Sequence, residues 1–391
     1  MKYTLFLTQR CNLACDYCYV GKSNTRMSLD IATRAIDFAY SHTPPDEEID
    51  IGFFGGEPLL EFPLLVALTQ IIKADPRYDP CRVKLGLTTN GTLLTSDMVR
   101  FFLAEGISST ISCDGPPAMQ DRFRHYPDGS KTSESVEQAI RMCVAIRGGN
   151  DTSVNAVFGP HNIENLVDIV DYFSSLGVLQ INLNADYGAR WTEADLDKIP
   201  RAYQTLTQRY MQFYREGRPH YISLIDSRIT VMLRGGYQPK EKCRMGTGEF
   251  AFTPSGRVLP CERLAAVDPE LHSIGNIHDL VQIGPPRNHL ADGPDVHPAC
   301  LDCSIREYCT HWCGCSNYFQ TGYYNRPGPF LCVSEKTLLR LAAEVFETLE
   351  SELGPTFVHH LGTAQPSADA SGSDGATCDE SGEPLRATST A

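Results

Sequence analysis

Between residues 3 and 184 short β-rich runs alternate with stretches of helical period. The runs are YTLFLT (3–8), IDIGFF (49–54), RVKLGLT (82–88), ISSTISC (107–113), TSVNAVF (152–158) and LQINLN (179–184). Between them lie SLDIATRAIDFAYSH, PLLEFPLLVALTQIIK, TSDMVRFFLAEG, TSESVEQAIRMCVAIR and NIENLVDIVDYFSSLG, with Ser28 and Thr95 placed as N-caps and Gly106 and Gly177 just past C-terminal ends. Alternating β and α units imply parallel strands joined by right-handed crossovers. Six strands predict an α/β chain built on a partial (β/α)6, TIM-like barrel, whose chemistry belongs at the C-terminal ends of the strands.

After Asn184 the strand rhythm stops. A long helix over about 193–216 and a shorter one near 222–234 are expected, then a region, 243–332, with eight cysteines, many Gly and Pro and little periodicity. Such a region is organised around metal more than around an apolar core. A helix is predicted at about 334–353, and the Ser/Gly/Ala/acidic segment from Gly362 onward reads as a disordered tail. The expected division is therefore 1–235, 236–355 and 362–391, since 391 residues exceed one typical core. No run of 18 apolar residues exists and MKYTLFLTQR lacks a signal-peptide pattern, so the expected compartment is the cytoplasm. A net charge of −14 without any dense Lys/Arg run excludes nucleic acid and a membrane surface as partners.

In a reducing compartment, fifteen cysteines argue for metal or redox chemistry instead of disulfides. Cys81, Cys113 and Cys143 sit singly and read as small buried hydrophobes, and Cys378 falls in the tail. Cys11, Cys15 and Cys18 differ: they follow the first strand at spacing C-x3-C-x2-C. A structural zinc site or an ordinary iron–sulfur cluster takes four protein ligands. The nearest histidine, His42, lies beyond a predicted helix.

The loop CNLACDYC resembles the cluster-binding loop of the radical S-adenosylmethionine (SAM) enzymes. In that family three cysteines hold a [4Fe–4S] cluster whose open iron is chelated by the amino and carboxylate groups of SAM. The resemblance extends to other strand ends. GGEP (Gly55, Gly56, Glu57, Pro58) stands where the family binds the SAM amino group, TTNG places Asn90, and SCDGP places Ser112 and Asp114 near SAM. Tyr17 takes the aromatic position beside the adenine, and Arg124 either meets the SAM carboxylate or lies on a surface.

The second cysteine series runs C-x12-G-x4-C from Cys243 through Gly256 to Cys261, then C-x2-C-x5-C-x3-C at Cys300, Cys303, Cys309 and Cys313, and ends at Cys332. It resembles the SPASM domain appended to radical SAM maturases of peptides and proteins; a pair of zinc ribbons is the alternative. The resemblance implies two auxiliary [4Fe–4S] clusters, three in all. Cys300, Cys303, Cys309 and Cys332 would hold one, and Cys243, Cys261 and Cys313 the other. In HWCGC, Cys315 either closes the second set or leaves it open to substrate.

Such an enzyme would generate a 5′-deoxyadenosyl radical, abstract hydrogen from a peptide or protein residue and oxidise it with help from the auxiliary clusters. An electron donor such as flavodoxin or ferredoxin is implied. In the anaerobic sulfatase maturases an aspartate after the second SPASM cysteine is the general base; Glu262 stands there, either as base or as a solvated partner of Arg263. Those maturases also carry a cysteine between the first two SPASM cysteines, and none lies between Cys243 and Cys261. With a barrel beginning at residue 3, a ribosomal peptide would be recognised by a separate leader-binding protein or directly by the chain. Peptide maturation is thus the expected activity, formylglycine formation the second, and a non-catalytic metal-binding or electron-transfer role the contrasting class.

Overall fold

A computed structural model of the chain describes residues 1–266, 269–279 and 296–363. Six parallel strands occur in sequential order: β1 (Lys2–Thr8), β2 (Ile49–Gly55), β3 (Val83–Thr89), β4 (Ile107–Ser112), β5 (Ser153–Phe158) and β6 (Gln180–Ala185). Each lies within a residue or so of its predicted run. The intervening helices α1 (Leu29–His42), α2 (Phe62–Ala74), α3 (Ser96–Glu105), α4 (Pro117–Phe123), α5 (Ser133–Arg147) and α6 (Leu166–Ser175) supply the crossovers. Ser28 and Thr95 cap α1 and α3 through their hydroxyls, and Gly106 closes α3 in the left-handed conformation at φ 63°.

Four further strands extend the sheet beyond the predicted six. The two-residue β7 (Tyr221–Ile222) pairs with β6. On the other edge β8 (Glu249–Phe252) runs parallel to β1, followed by β9 (Arg257–Leu259) and β10 (Gly275–Asn276) in antiparallel order. The cysteine-bearing half is thus joined to the barrel through its first strand. It also shares the barrel's cores: Phe250, Phe252, Val258 and Ile277 pack with Tyr3, Leu5 and Phe53, while the helix Pro329–Leu353 buries Phe330, Leu338 and Val345 against Val154, Phe158 and Tyr203.

Side chains alternate across each strand, so every strand has a lumen face and a helix face. The helix faces are apolar. The lumen faces carry small or polar residues in register, Thr4, Gly52, Gly86 and Ser108 in one row and Ser112, Asn155 and Asn182 in another, with Phe54 and Val157 as apolar exceptions. A barrel closed by layers of branched side chains is solid. Here those layers are missing, and a cavity of about 910 Å³ occupies the lumen.

Cys113 and Cys143 are buried, as expected of small hydrophobes. Cys81 is only half-buried, in the turn before β3, where its N–H donates to Asp79 (2.8 Å). The helix Pro355–Thr363 enters the start of the predicted tail; residues 364–391, Cys378 included, lie outside the described residues.

Candidate active site

Cys11, Cys15 and Cys18 line one wall of the cavity, at the C-terminal end of β1. Their loop is pinned by backbone: Ala14 N–H donates to His125 O (2.8 Å) and Asp16 N–H to Phe123 O (3.0 Å). The Leu13 N–H donates to Cys11 Sγ (3.3 Å), and Asn90 Nδ2 donates to Asn12 Oδ1 (2.9 Å) beside the same sulfur. Burial pushes the Cys11 thiol up to about 11. Gly55 and Gly56 press against this loop, Gly56 N–H donating to Thr8 O and Glu57 N–H to Arg10 O, both at 2.9 Å. Both glycines line the cavity.

Glu57, expected to offer its carboxylate to the cofactor, is placed otherwise. It is fully buried, outside the cavity wall. Its Oε1 accepts from Leu59 N–H (3.0 Å) and the Thr89 hydroxyl (2.7 Å), and its Oε2 from Asn90 N–H (2.8 Å). It braces the end of β2 to the end of β3; burial pushes its carboxyl up to about 7 against those three bonds. Asp114 is likewise occupied. Tyr17 donates to it, Arg124 Nε lies 3.0 Å away, and Val157 N–H donates to its other oxygen (3.1 Å). The Arg124 guanidinium stands over the Tyr17 ring at 5.3 Å, so these three side chains form one buried knot, and Arg124 is not a surface residue. Tyr17, Asn90, Ser112 and Arg124 reach the cavity directly.

The later cysteines fall into two groups. Cys300, Cys303 and Cys332 lie within electrostatic reach of one another, and Cys309 within reach of Cys332. Cys243, Cys261, Cys313 and Cys315 form the second group, with Cys313 Sγ and Cys315 Sγ 3.7 Å apart and Cys315 hydrogen-bonded to Cys261. Between them Gly314 faces Met245: a Cβ there would lie 2.2 Å from Met245 Sδ, so that flexible side chain would have to shift to admit one. Directly after Cys261, Glu262 turns into the cavity and is not a solvated residue paired by hydrogen bond to Arg263. Its carboxylate is held by Lys2 Nζ (3.3 Å) and the Thr4 hydroxyl (3.1 Å), both from β1. Burial opposes its charge, but Lys2 and then Arg263 hold its carboxyl below the usual range; neighbouring Glu249 is pushed up by burial.

The radical SAM superfamily pattern matches residues 5–173. The chain carries a radical SAM domain. A serine-type anaerobic sulfatase-maturating enzyme of Klebsiella aerogenes is 25% identical over 320 residues, 78% of this chain and 76% of that one. Among solved structures, anSMEcpe with bound AdoMet and Cp18Cys peptide overlays with a TM-score of 0.72 at 19% identity, over 90% of this chain and 99% of that one. Streptococcus suis SuiB bound to precursor peptide SuiA overlays at 0.59 with 14% identity, over 84% and 75%. The chain is a radical SAM enzyme with maturase relatives.

The radical SAM domain supplies only part of the cavity. Its cysteine loop and the ends of β1 to β5 fall inside the matched span, whereas Asn184, Asp186, Tyr187, Glu262 and Arg263 fall outside it. Asp186, His161 and Lys2 line the cavity with features beyond the motifs. Asp186 accepts from the N–H groups of Gly188 (2.9 Å) and Ala189 (3.1 Å), and burial pushes its carboxyl up. Within electrostatic reach of it, His161 packs tilted against Phe123 with ring centroids 4.1 Å apart. Neither has a signature in the sequence, because isolated Asp and His residues after strands are common in turns. Lys2 was hidden for another reason: only the β1 register shows that it faces the lumen.

Proposed function

We propose that this chain is a radical SAM peptide maturase. Cys11, Cys15 and Cys18 hold a [4Fe–4S] cluster, and SAM lies beside it against Gly55, Gly56, Asn90, Ser112 and the Tyr17–Asp114–Arg124 knot. The residues fit this pair: three sulfurs share one cavity wall, and among the described residues no other cysteine or histidine caps them. The two four-cysteine groups fit two auxiliary clusters, with Cys315 completing the second. Bound there, cluster and cofactor supply a 5′-deoxyadenosyl radical for hydrogen abstraction, and the auxiliary clusters an acceptor for the electron the substrate gives up. The protein's own part is to enclose the substrate, exclude water and remove the proton.

The observation carrying this reading is that one cavity reaches from Cys11, Cys15 and Cys18 to Glu262, whose neighbour Cys261 belongs to the second sulfur group. A residue inserted there would face the radical source on one side and a carboxylate on the other. Glu262 then takes the proton lost as the substrate is oxidised. The peptide-bound states of anSMEcpe and SuiB support a peptide as substrate, and the sulfatase-maturating relative favours formylglycine formation as the second reading.

The test is anaerobic reconstitution followed by iron analysis and reduction with SAM. About twelve irons per chain with release of 5′-deoxyadenosine is expected; bound zinc and no cleavage overturns the proposal. With a peptide that turns over, Glu262→Gln should lower product formed per 5′-deoxyadenosine by about a hundredfold. An unchanged ratio removes Glu262 from the base role. Formylglycine in a sulfatase-derived peptide would select the second reading.

A further inference from the structure

Four cationic side chains line the cavity: Lys2, Lys22, Arg124 and Arg263. Three are engaged. Lys2 pairs with Glu262, Lys22 Nζ donates to Leu13 O (2.7 Å), and Arg124 pairs with Asp114. Arg263 has neither a hydrogen bond nor an ion pair among the described residues. Its guanidinium instead lies over the ring of Tyr187 at 5.8 Å, with Tyr19 within electrostatic reach. Five N–H donors in a half-buried site need acceptors, and a cation shielded from water needs an anion. Uncharged amides have other hosts here, the cavity-lining Asn155, Asn182 and Asn184. Arg263 lies within electrostatic reach of Glu262 and of the Cys313–Cys315 pair, but its N–H donors meet no acceptor among the described residues.

We infer that Arg263 anchors a carboxylate of the substrate at the auxiliary-cysteine end of the cavity, so that the peptide presents an acidic side chain or its own C-terminus next to the modified residue. This rests on the peptide-maturase reading and adds the substrate's charge to it. The planar guanidinium fork matches a carboxylate in bidentate fashion. Tyr187 and Tyr19 supply apolar walls that stiffen the arginine and keep water from the pair. The placement also has a geometric consequence. Arg263 follows Glu262 on the same 3₁₀ turn, Glu262–Ala266, so an anchored carboxylate holds the adjoining residue over the carboxylate that takes its proton.

The test is affinity selection of two synthetic random peptide libraries, one ending in a free acid and one in an amide. Each is incubated with reconstituted full-chain enzyme and SAM, and retained peptides are sequenced by mass spectrometry. Enrichment of Asp and Glu in both libraries assigns the carboxylate to a side chain; retention from the acid library alone assigns it to the C-terminus. In either case Arg263→Gln should reduce that enrichment about tenfold or more, and Arg263→Lys, which keeps the charge without the fork, by less. Iron content and cluster spectra of both variants check that they fold. Peptides retained without preference for a carboxylate overturn the inference alone, whereas retention of no peptide by the wild type overturns the maturase reading with it. Equal enrichment by wild type and Arg263→Gln, with a lowered auxiliary-cluster potential in the variant, reassigns Arg263 to the cluster and also overturns it.

Discussion

A methyl group on Gly56 would sit 2.1 Å from the carbonyl oxygen of Arg10, while one on Gly52 would meet nothing nearer than Thr4 Oγ1 at 3.9 Å. Both glycines line the same cavity, yet only one is there for close approach. Because its obstacle is backbone next to Cys11, Gly56→Ala must displace the cysteine loop itself. The expected outcome is a loss of about tenfold or more in 5′-deoxyadenosine formation, since small displacements of reacting groups are costly, with reduced iron retention. Gly52→Ala should keep its melting temperature within a few degrees of wild type. Iron analysis, a cleavage assay and a thermal melt on both variants decide this; equal behaviour of the two would show that the contact is not limiting. Glu57 belongs to the same scale. A motif places a residue type, but the three donors that claim its carboxylate come from residues 59, 89 and 90 and are visible only once β2 and β3 are paired.

At the scale of elements, a buried acid sits in the first turn of helix α8 (Ser223–Leu233), which follows α7 (Ile199–Arg215) and packs on the helix Pro329–Leu353. Asp226 accepts from Ile222 N–H (2.7 Å) and the Tyr210 hydroxyl (2.9 Å), and burial pushes its carboxyl from 3.8 up to about 7. In the unfolded chain the group ionises near 4. Its contribution is therefore complete at low pH, and the fold loses it progressively as pH rises from about 4 to 7. Asp226→Asn carries no such charge, so wild type minus variant stability should fall as pH rises from about 5 to 7.5. Denaturant melts across that range test the slope, and a constant difference would overturn it. The six barrel strands were legible because each is six or seven residues long, β-rich and bounded by turns. Strands β7, β9 and β10, with two or three residues each, leave no periodic trace. β8 reads EFAF, which propensity alone cannot assign to the edge of β1. The grouping of the later cysteines was suggested by the resemblance of their spacing to a known family, whereas the partnerships of Glu262 and Arg124 depend on register and on which face of a strand meets the lumen.

For the whole molecule, two different forces hold the two halves. Residues 1–235 close around large apolar cores, and β8, β9 and the helix Pro329–Leu353 are built into those same cores. The segment carrying Cys300 to Cys315 is not. Among the described residues the apolar cluster around it is small: Cys261, Leu264 and Cys315 are buried with Met245, Cys313, Tyr318 and Tyr324 against them, and Trp312 meets Tyr237 edge-on. On the proposed reading its order comes from metal–thiolate bonds, whose binding free energy is folding free energy in small cysteine-rich regions. Chelating iron from the holoenzyme should therefore act unevenly. Hydrogen exchange should quicken by orders of magnitude over residues 298–324, while the amides of β1 to β6, of β8 and of the helix Pro329–Leu353 stay protected. Had the cysteine-rich half been a domain with its own core, β8 and that long helix would lose protection together with the cysteine segment, and this outcome would refute the shared-core account. If the account holds, the auxiliary clusters order the wall that bears Glu262 and Arg263, so losing them opens the cavity to water from the side opposite Cys11, Cys15 and Cys18.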